Sequence, residues 1–133
     1  MSDIITDIQT NIAWLNANAK SQNISKLSIA LSKLSVQCFY FCEIVADAYD
    51  LQQQTEDDYK NAKASFIKES TEGVTKASAT VEADPGVAEL KKLMTNASNI
   101  HHRYKLYAGA FDTIMDNFRQ RVSVAKTLEA KNI

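Results

Sequence analysis

The chain contains no glycine and no proline in its first 72 residues, and only Gly73, Pro85, Gly86 and Gly109 in the rest of its 133 residues. Sheets need tight turns, and those turns draw heavily on glycine and proline. The scarcity therefore argues against a sandwich, a barrel or a doubly wound fold. It also argues against glycine-rich phosphate loops and nucleophile elbows, where the backbone must come close to a ligand. We expect an all-α protein of one domain.

Apolar residues recur at alternating steps of three and four in three segments, as they do on one face of a helix. From this periodicity we predict a short N-terminal helix over about residues 3–20 and a long helix over about residues 24–70. A turn with a short helix follows over about residues 71–84, and a second long helix occupies about residues 85–130. We call the line of apolar residues along one face of each long helix its seam. In the first long helix the polar residues Gln52 and Thr55 interrupt the seam, and apolar residues resume after them.

The turn between the two long helices carries the strongest local signals. Asp84 and Pro85 are favoured residue types for the N-cap and the first position of a helix, so they predict the start of the last helix. Gly73 is placed where a positive φ usually follows a helix C-terminus. Thr75 is predicted to cap the short helix within the turn.

The last segment keeps an apolar repeat of 3.5 residues for more than five heptads, which is typical of a left-handed supercoil. Two helices of about 46 residues are each about 69 Å long, so we predict a long antiparallel helical hairpin with coiled-coil character. The first helix can cover less than half of that length. We therefore expect other copies of the chain to bury the remaining seam, in a homo-oligomer. The predicted interface residues are Leu27, Leu31, Leu34, Phe41, Tyr104, Tyr107, Phe111 and Phe118.

The residue types that usually carry chemistry are few and poorly arranged. Cys38 and Cys42 share a helical face and could bind zinc, but the adjacent His101 and His102 point about 100° apart on a helix. We expect reduced structural thiols, no metal and no cofactor. The serines have no histidine at a fixed spacing that could activate them. Helical backbone amides are already hydrogen-bonded, so they cannot form an oxyanion hole. We expect no catalytic residue and no enzyme activity.

Two features of the sequence bear on localisation. No uninterrupted apolar run approaches the roughly 18 residues that a membrane span requires. The first residues contain neither a basic region nor an apolar region of the kind found in secretory signals. We expect a cytoplasmic protein without membrane contact.

The net charge is −1, from 15 basic and 16 acidic residues, but the charges are unevenly placed. Residues 90–107 contain four basic residues and no acidic one, and three lysines lie near the end of the first long helix. Such cations could contact phosphates, particularly if oligomerisation repeats the patch. Interaction with the helix dipole is the competing interpretation for Lys63 and Lys68. The candidate nucleic-acid-binding residues are Lys60, Lys63, Lys68, Lys91, Lys92, Arg103 and Lys105.

The order of these features carries a resemblance to a known family. A basic-apolar helix end at residues 59–68 (YKNAKASFIK), a turn and residues 81–90 (VEADPGVAEL) precede a final amphipathic helix. Over about residues 40–130 this order resembles small helical tailed-phage proteins, in particular recombination mediators of the UvsY type. The resemblance implies a non-enzymatic, ring-forming oligomer that binds single-stranded DNA and helps to load a recombinase onto coated strands. Lys60, Lys63 and Lys68 match the basic stretch that the family carries before the turn.

A second hypothesis starts from the acidic part of the first long helix. Between Lys33 and Tyr59 the sequence has six acidic residues and no basic one. Such a face could mimic nucleic acid or dock on a basic cleft, which predicts a phage or mobile-element protein that inhibits or regulates a host defence protein. A solvated face or an ion-pair ladder is the plainer interpretation, and a purely structural coiled coil is a third. The candidate contact residues of this face are Glu43, Asp47, Asp50 and Asp57.

Overall fold

The computed structural model describes residues 2–18, 20, 23–71 and 73–131. Within them the regular structure is helical and contains no strand, which confirms the all-α prediction. The helices are α1 (Ser2–Ala17), α2 (Ile24–Glu69), α3 (Val74–Thr80) and α4 (Pro85–Lys131), with a 3-10 turn at Val81–Ala83.

The predicted bounds of both long helices agree with α2 and α4 to within one residue. The first helix ends at Ala17, earlier than predicted, and the side-chain amide of Asn18 donates a hydrogen bond to the Trp14 carbonyl over 2.8 Å. Asn23 precedes α2, and its side-chain oxygen accepts from the Lys26 amide over 3.1 Å, as an N-cap does. Residue 19 of the predicted first helix and residue 72 of the predicted turn lie outside the described residues, as do residues 21 and 22.

The turn confirms two of the three local predictions. Asp84 caps α4, since its carboxylate accepts from the Val87 amide over 3.0 Å, and α4 begins at Pro85. Gly73 has φ +87°, as predicted, but it lies four residues beyond the end of α2 and directly precedes α3 rather than following a helix C-terminus. The prediction that Thr75 caps the short helix is wrong: α3 begins at Val74 with Gly73 as its N-cap, because the Gly73 carbonyl already accepts from the Ala77 amide over 3.0 Å.

The chain divides into two compact units, unit 1 at residues 1–44 and 105–133 and unit 2 at residues 45–104. In unit 1 the large apolar side chains form the core, and the rings of Phe41 and Phe111 meet edge to face at 5.5 Å. The Ser35 hydroxyl reaches the Met115 sulfur over 3.3 Å. Since Ser35 precedes Phe41 on α2 while its partner Met115 follows Phe111 on α4, the two helices run antiparallel there. The side-chain amide of Asn11 donates to the Ala30 carbonyl over 3.1 Å and ties α1 to α2.

Unit 2 has a smaller core, next to the turn. Tyr59 of α2 is buried with Val81 and Val87, and Phe66 and Met94 are among the partly buried side chains packed against them. Here too α2 and α4 run antiparallel, because Gln52 contacts His101 while the later Tyr59 of α2 packs with the earlier Val87 of α4.

Candidate interaction surfaces

The residues predicted to form an oligomer interface mostly pack the core of the single chain. Leu31, Tyr104 and Tyr107 are half-buried. The helices of the chain itself cover the others, so these positions of the seam need no second copy to be buried. The members that are at most 5% exposed are Leu27, Leu34, Phe41, Phe111 and Phe118.

A different set of apolar side chains on α2 is exposed. Ile29 is 70% exposed, Val36 54%, Phe39 66% and Tyr40 55%. Ile29, Val36 and Tyr40 follow one another at steps of seven and four, a spacing that keeps them on one side of the helix. Sequence reasoning missed this surface, although the spacing is visible in the sequence. We define the outer face of α2 as the set Ile29, Lys33, Val36, Phe39, Tyr40 and Glu43.

Beside the outer face, α1 and α2 enclose an open groove. Trp14, which is 39% exposed, forms part of its α1 side. Lys26, Ile29 and Lys33 form part of its α2 side. Asp7 also lines the groove, which is therefore an aromatic and aliphatic surface flanked by charges of both signs.

Among the predicted DNA-contacting cations, Lys63 and Lys91 meet at one carboxylate. The ammonium of Lys63 lies 3.3 Å from Oε1 of Glu82, and that of Lys91 lies 3.5 Å from Oε2. The Tyr59 hydroxyl also donates to Glu82. That hydrogen bond, together with the contact to Lys63, lowers the pKa of the Glu82 carboxyl. The hydrogen bond to Glu82 in turn raises the pKa of Lys63. Sequence reasoning missed this carboxylate, whose α2 partners are distant in the chain.

The other predicted cations are differently placed. Lys60, Lys68, Lys92, Arg103 and Lys105 are exposed, and in the described part of the chain none of them forms an ion pair. Lys68 lies in the last turn of α2, where a cation favours the helix dipole. Lys105 belongs to unit 1, whereas the other four belong to unit 2.

The predicted acidic surface is a row of exposed carboxylates on α2. Glu43, Asp47, Asp50 and Asp57 are all exposed. Among the described residues none of these carboxylates takes part in an ion pair. The structure therefore gives no support to the interpretation of this row as an ion-pair ladder.

The two cysteines occupy different environments. Cys38 is buried, and burial, helped by the charge of Asp112, raises its pKa to about 11. Cys42 is exposed. His101 donates from Nδ1 to the side-chain oxygen of Gln52 over 2.6 Å, while His102 is exposed. Across the described ranges, no three His, Cys, Asp or Glu side chains are grouped closely enough to hold a metal ion.

By length and composition alone, α2 is the one described helix that would suffice to cross a membrane, and 17% of its most apolar stretch is buried. The core helix of a water-soluble protein meets the same criterion, so membrane insertion does not follow from it.

Comparison of the chain with family models, with curated proteins and with solved structures found no significant match. Its function has therefore to be inferred from its own residues and geometry.

Proposed function

We propose that this chain is a non-enzymatic helical protein that self-associates and acts by binding other macromolecules. The observation that carries the proposal is the outer face of α2, where four large apolar side chains each expose more than half of their surface. Burial of apolar surface lowers the free energy by about 25 cal/mol for each Å² removed from water. Contiguous exposed patches of this kind are typical of interaction sites.

The environment of Cys38 argues against a catalytic role for that thiol. A cysteine acts as a nucleophile through its thiolate. Cys38 lies in the core with a pKa of about 11, so it stays protonated at neutral pH. The groove between α1 and α2 is open, and it is lined by Trp14, by lysines and by Asp7, which can contact a binding partner.

Sedimentation velocity at increasing protein concentration tests the self-association. We expect the average mass to rise above the 14.8 kDa of a single chain within the micromolar range. Tyr40→Ser should lower the mass at a given concentration, because it removes apolar surface from the outer face. Val124→Ser is the matched control, since Val124 is 59% exposed but lies on α4. A mass of one chain at every concentration would contradict the proposal.

A second proposed function is contact with single-stranded DNA, as the resemblance to recombination mediators implies. Its support is that Lys60, Lys92 and Arg103 of unit 2 are exposed and form no ion pair among the described residues. Cations of this kind can release counterions from phosphates, which makes binding strongly dependent on salt. In this proposal the assembled protein helps to place a recombinase on the strand.

Fluorescence anisotropy with a labelled single strand at two salt concentrations tests this second function. We expect binding at low salt that weakens steeply as salt is added. Lys60→Glu with Lys92→Glu should weaken binding and flatten the salt dependence, whereas Lys126→Glu, an exposed change in unit 1, should have a smaller effect. No binding at low salt would contradict DNA contact. It would favour the rival proposal, in which the exposed carboxylates of α2 dock on a basic host protein.

A further inference from the structure

We infer that the outer face of α2 binds the same face of a second copy of the chain, with the two α2 helices antiparallel. The inference rests on the proposed self-association. It adds which surface makes the contact, the relative direction of the two α2 helices and the register in which their residues face one another. Every residue of the face belongs to α2 within unit 1.

The first support is a second heptad line on α2. Ile29, Lys33, Val36, Tyr40 and Glu43 follow one another at steps of four, three, four and three. This 3.5-residue period lets a helix keep one line in contact with a partner helix over several turns. All five side chains are accessible, and Phe39 extends the apolar surface beside the line.

The charges on the line select the direction of the second helix. In a parallel pair, Lys33 would face Lys33 and Glu43 would face Glu43, and like charges in a contact line are strongly unfavourable. In an antiparallel pair with its two-fold axis level with residue 38, Lys33 lies opposite Glu43 of the second copy. The same axis places Val36 opposite Tyr40 of the second copy. A two-fold interface is self-complementary in this way, so each charge pair occurs twice.

The exposed apolar surface reaches the lower size limit for a specific contact. Two aromatic and two aliphatic side chains exposed to this degree present on the order of 500 Å² for each chain. Two facing copies then present about 1,000 Å², which is the lower bound for a specific interface. Lys33 and Glu43 form no ion pair within the described residues, so reversing either charge breaks no such contact in the single chain.

Charge reversal with mixing tests the inference. In the Lys33→Glu variant two carboxylates should face each other at each charged contact, and in the Glu43→Lys variant two ammonium groups should do so. We expect each variant alone to raise the dissociation constant by about tenfold or more. An equimolar mixture should restore association close to that of the wild type, because every facing pair between the two variants is then of opposite charge. Sedimentation velocity at one fixed concentration measures all three samples.

The matched control reverses two exposed charges on α4, with Lys126→Glu and Glu129→Lys alone and mixed. Circular dichroism checks that every variant remains helical. We expect the control variants to associate as the wild type does.

The outcomes separate the inference from the proposed function. If the wild type associates and the single reversals associate equally well, or if mixing restores nothing, this inference is overturned while self-association stands. If the wild type is a monomer, the antiparallel contact and the proposed self-association are both wrong. If it is a monomer that floats with phosphatidylcholine vesicles, the outer face contacts lipid and the inference is overturned.

Discussion

The two units of the chain differ in the size and make-up of their cores. Unit 1 buries large apolar side chains, with Phe41, Phe111 and Phe118 in its core, and it also exposes the outer face of α2. Unit 2 has a smaller core that includes polar contacts, with Tyr59 bonded to Glu82. The packing of large apolar side chains and the proposed self-association therefore belong to unit 1, while unit 2 has a hydrogen bond and two ion pairs at Glu82 beside the turn.

The contrast follows from the sequence of α2. Its seam is apolar from Leu27 to Ala48 and becomes polar at Gln52 and Thr55. In unit 2 the weakness is compensated, because His101 of α4 donates a hydrogen bond to Gln52. A polar residue on the seam is therefore matched by a polar residue on the facing helix.

The largest expected effect comes from Phe111→Ala in unit 1. Phe111 is 4% exposed and contacts Phe41, so its truncation should cost about 3–5 kcal/mol of unfolding free energy through lost burial and a cavity. Urea denaturation measures the loss. Leu106→Ala is the control, because Leu106 is 62% exposed and should change stability by about 0.5 kcal/mol or less. If Val87→Ala in unit 2 costs as much as Phe111→Ala, the proposed contrast between the cores is wrong.

The next effect is an alkaline loss of stability that originates in unit 1. The pKa of Cys38 is about 11 in the folded chain against an ordinary value of 9.0, so folding favours the protonated thiol. This contribution is complete below pH 9 and is lost as the pH rises from 9 to 11. We expect the wild type to lose about 1–2 kcal/mol more than Cys38→Ala over that interval.

Urea denaturation at a series of pH values measures this difference. Cys42→Ala is the control and should keep the alkaline loss of the wild type, because Cys42 is exposed. An unchanged alkaline loss in Cys38→Ala would contradict the assignment.

A smaller effect in unit 2 comes from the cap of α4. Asp84→Ala removes the acceptor of the Val87 amide and should cost about 1 kcal/mol. Asp84→Asn should retain most of the stability, since asparagine caps helices nearly as well. Hydrogen exchange can localise the change, which we expect in the first turns of α4 and near Val81. An effect of equal size with asparagine would show that charge, rather than capping, is what matters.

The smallest expected effect is an acid dependence at Glu82. Its pKa is lowered in the folded chain, first by the Tyr59 hydrogen bond and then by Lys63. Its contribution is present above the ordinary carboxyl value and is lost as the pH falls through the lowered pKa. We expect Glu82→Gln to lose less stability than the wild type on acidification from neutral pH, as thermal unfolding would show. Glu89→Gln, an exposed change on α4, should behave as the wild type does.

The helices could be predicted closely because their signals are local. Periodicity and the Asp84–Pro85 start place α2 and α4 to within one residue. The identity of the element that buries a seam depends on residues far away in the chain or in another molecule, so the local sequence does not show it. The period identifies the apolar side of a helix but not the molecule that buries it, so Phe41 and Phe111 were expected at an oligomer contact and instead meet in the core of one chain.

The candidate surfaces could be predicted only in part. The cations were visible, but the pairing of Lys63 with Glu82 was not, because it joins residues far apart in the chain. The outer face was hidden for another reason. Lys33 and Glu43 interrupt its apolar line, and the sequence does not show that the chain's own helices leave Val36 and Tyr40 uncovered.

The antiparallel contact of α2 with a second copy is tested most directly by disulfide trapping. In a chain carrying Cys38→Ala and Cys42→Ser, the variants Lys33→Cys and Glu43→Cys are oxidised separately and as an equimolar mixture. We predict a cross-linked dimer in the mixture only, because residue 33 faces residue 43 of the second copy and lies about 15 Å along the helix axis from its own equivalent. Cross-linking of either variant with itself at the same rate, or no cross-link from an associating mixture, would contradict the account.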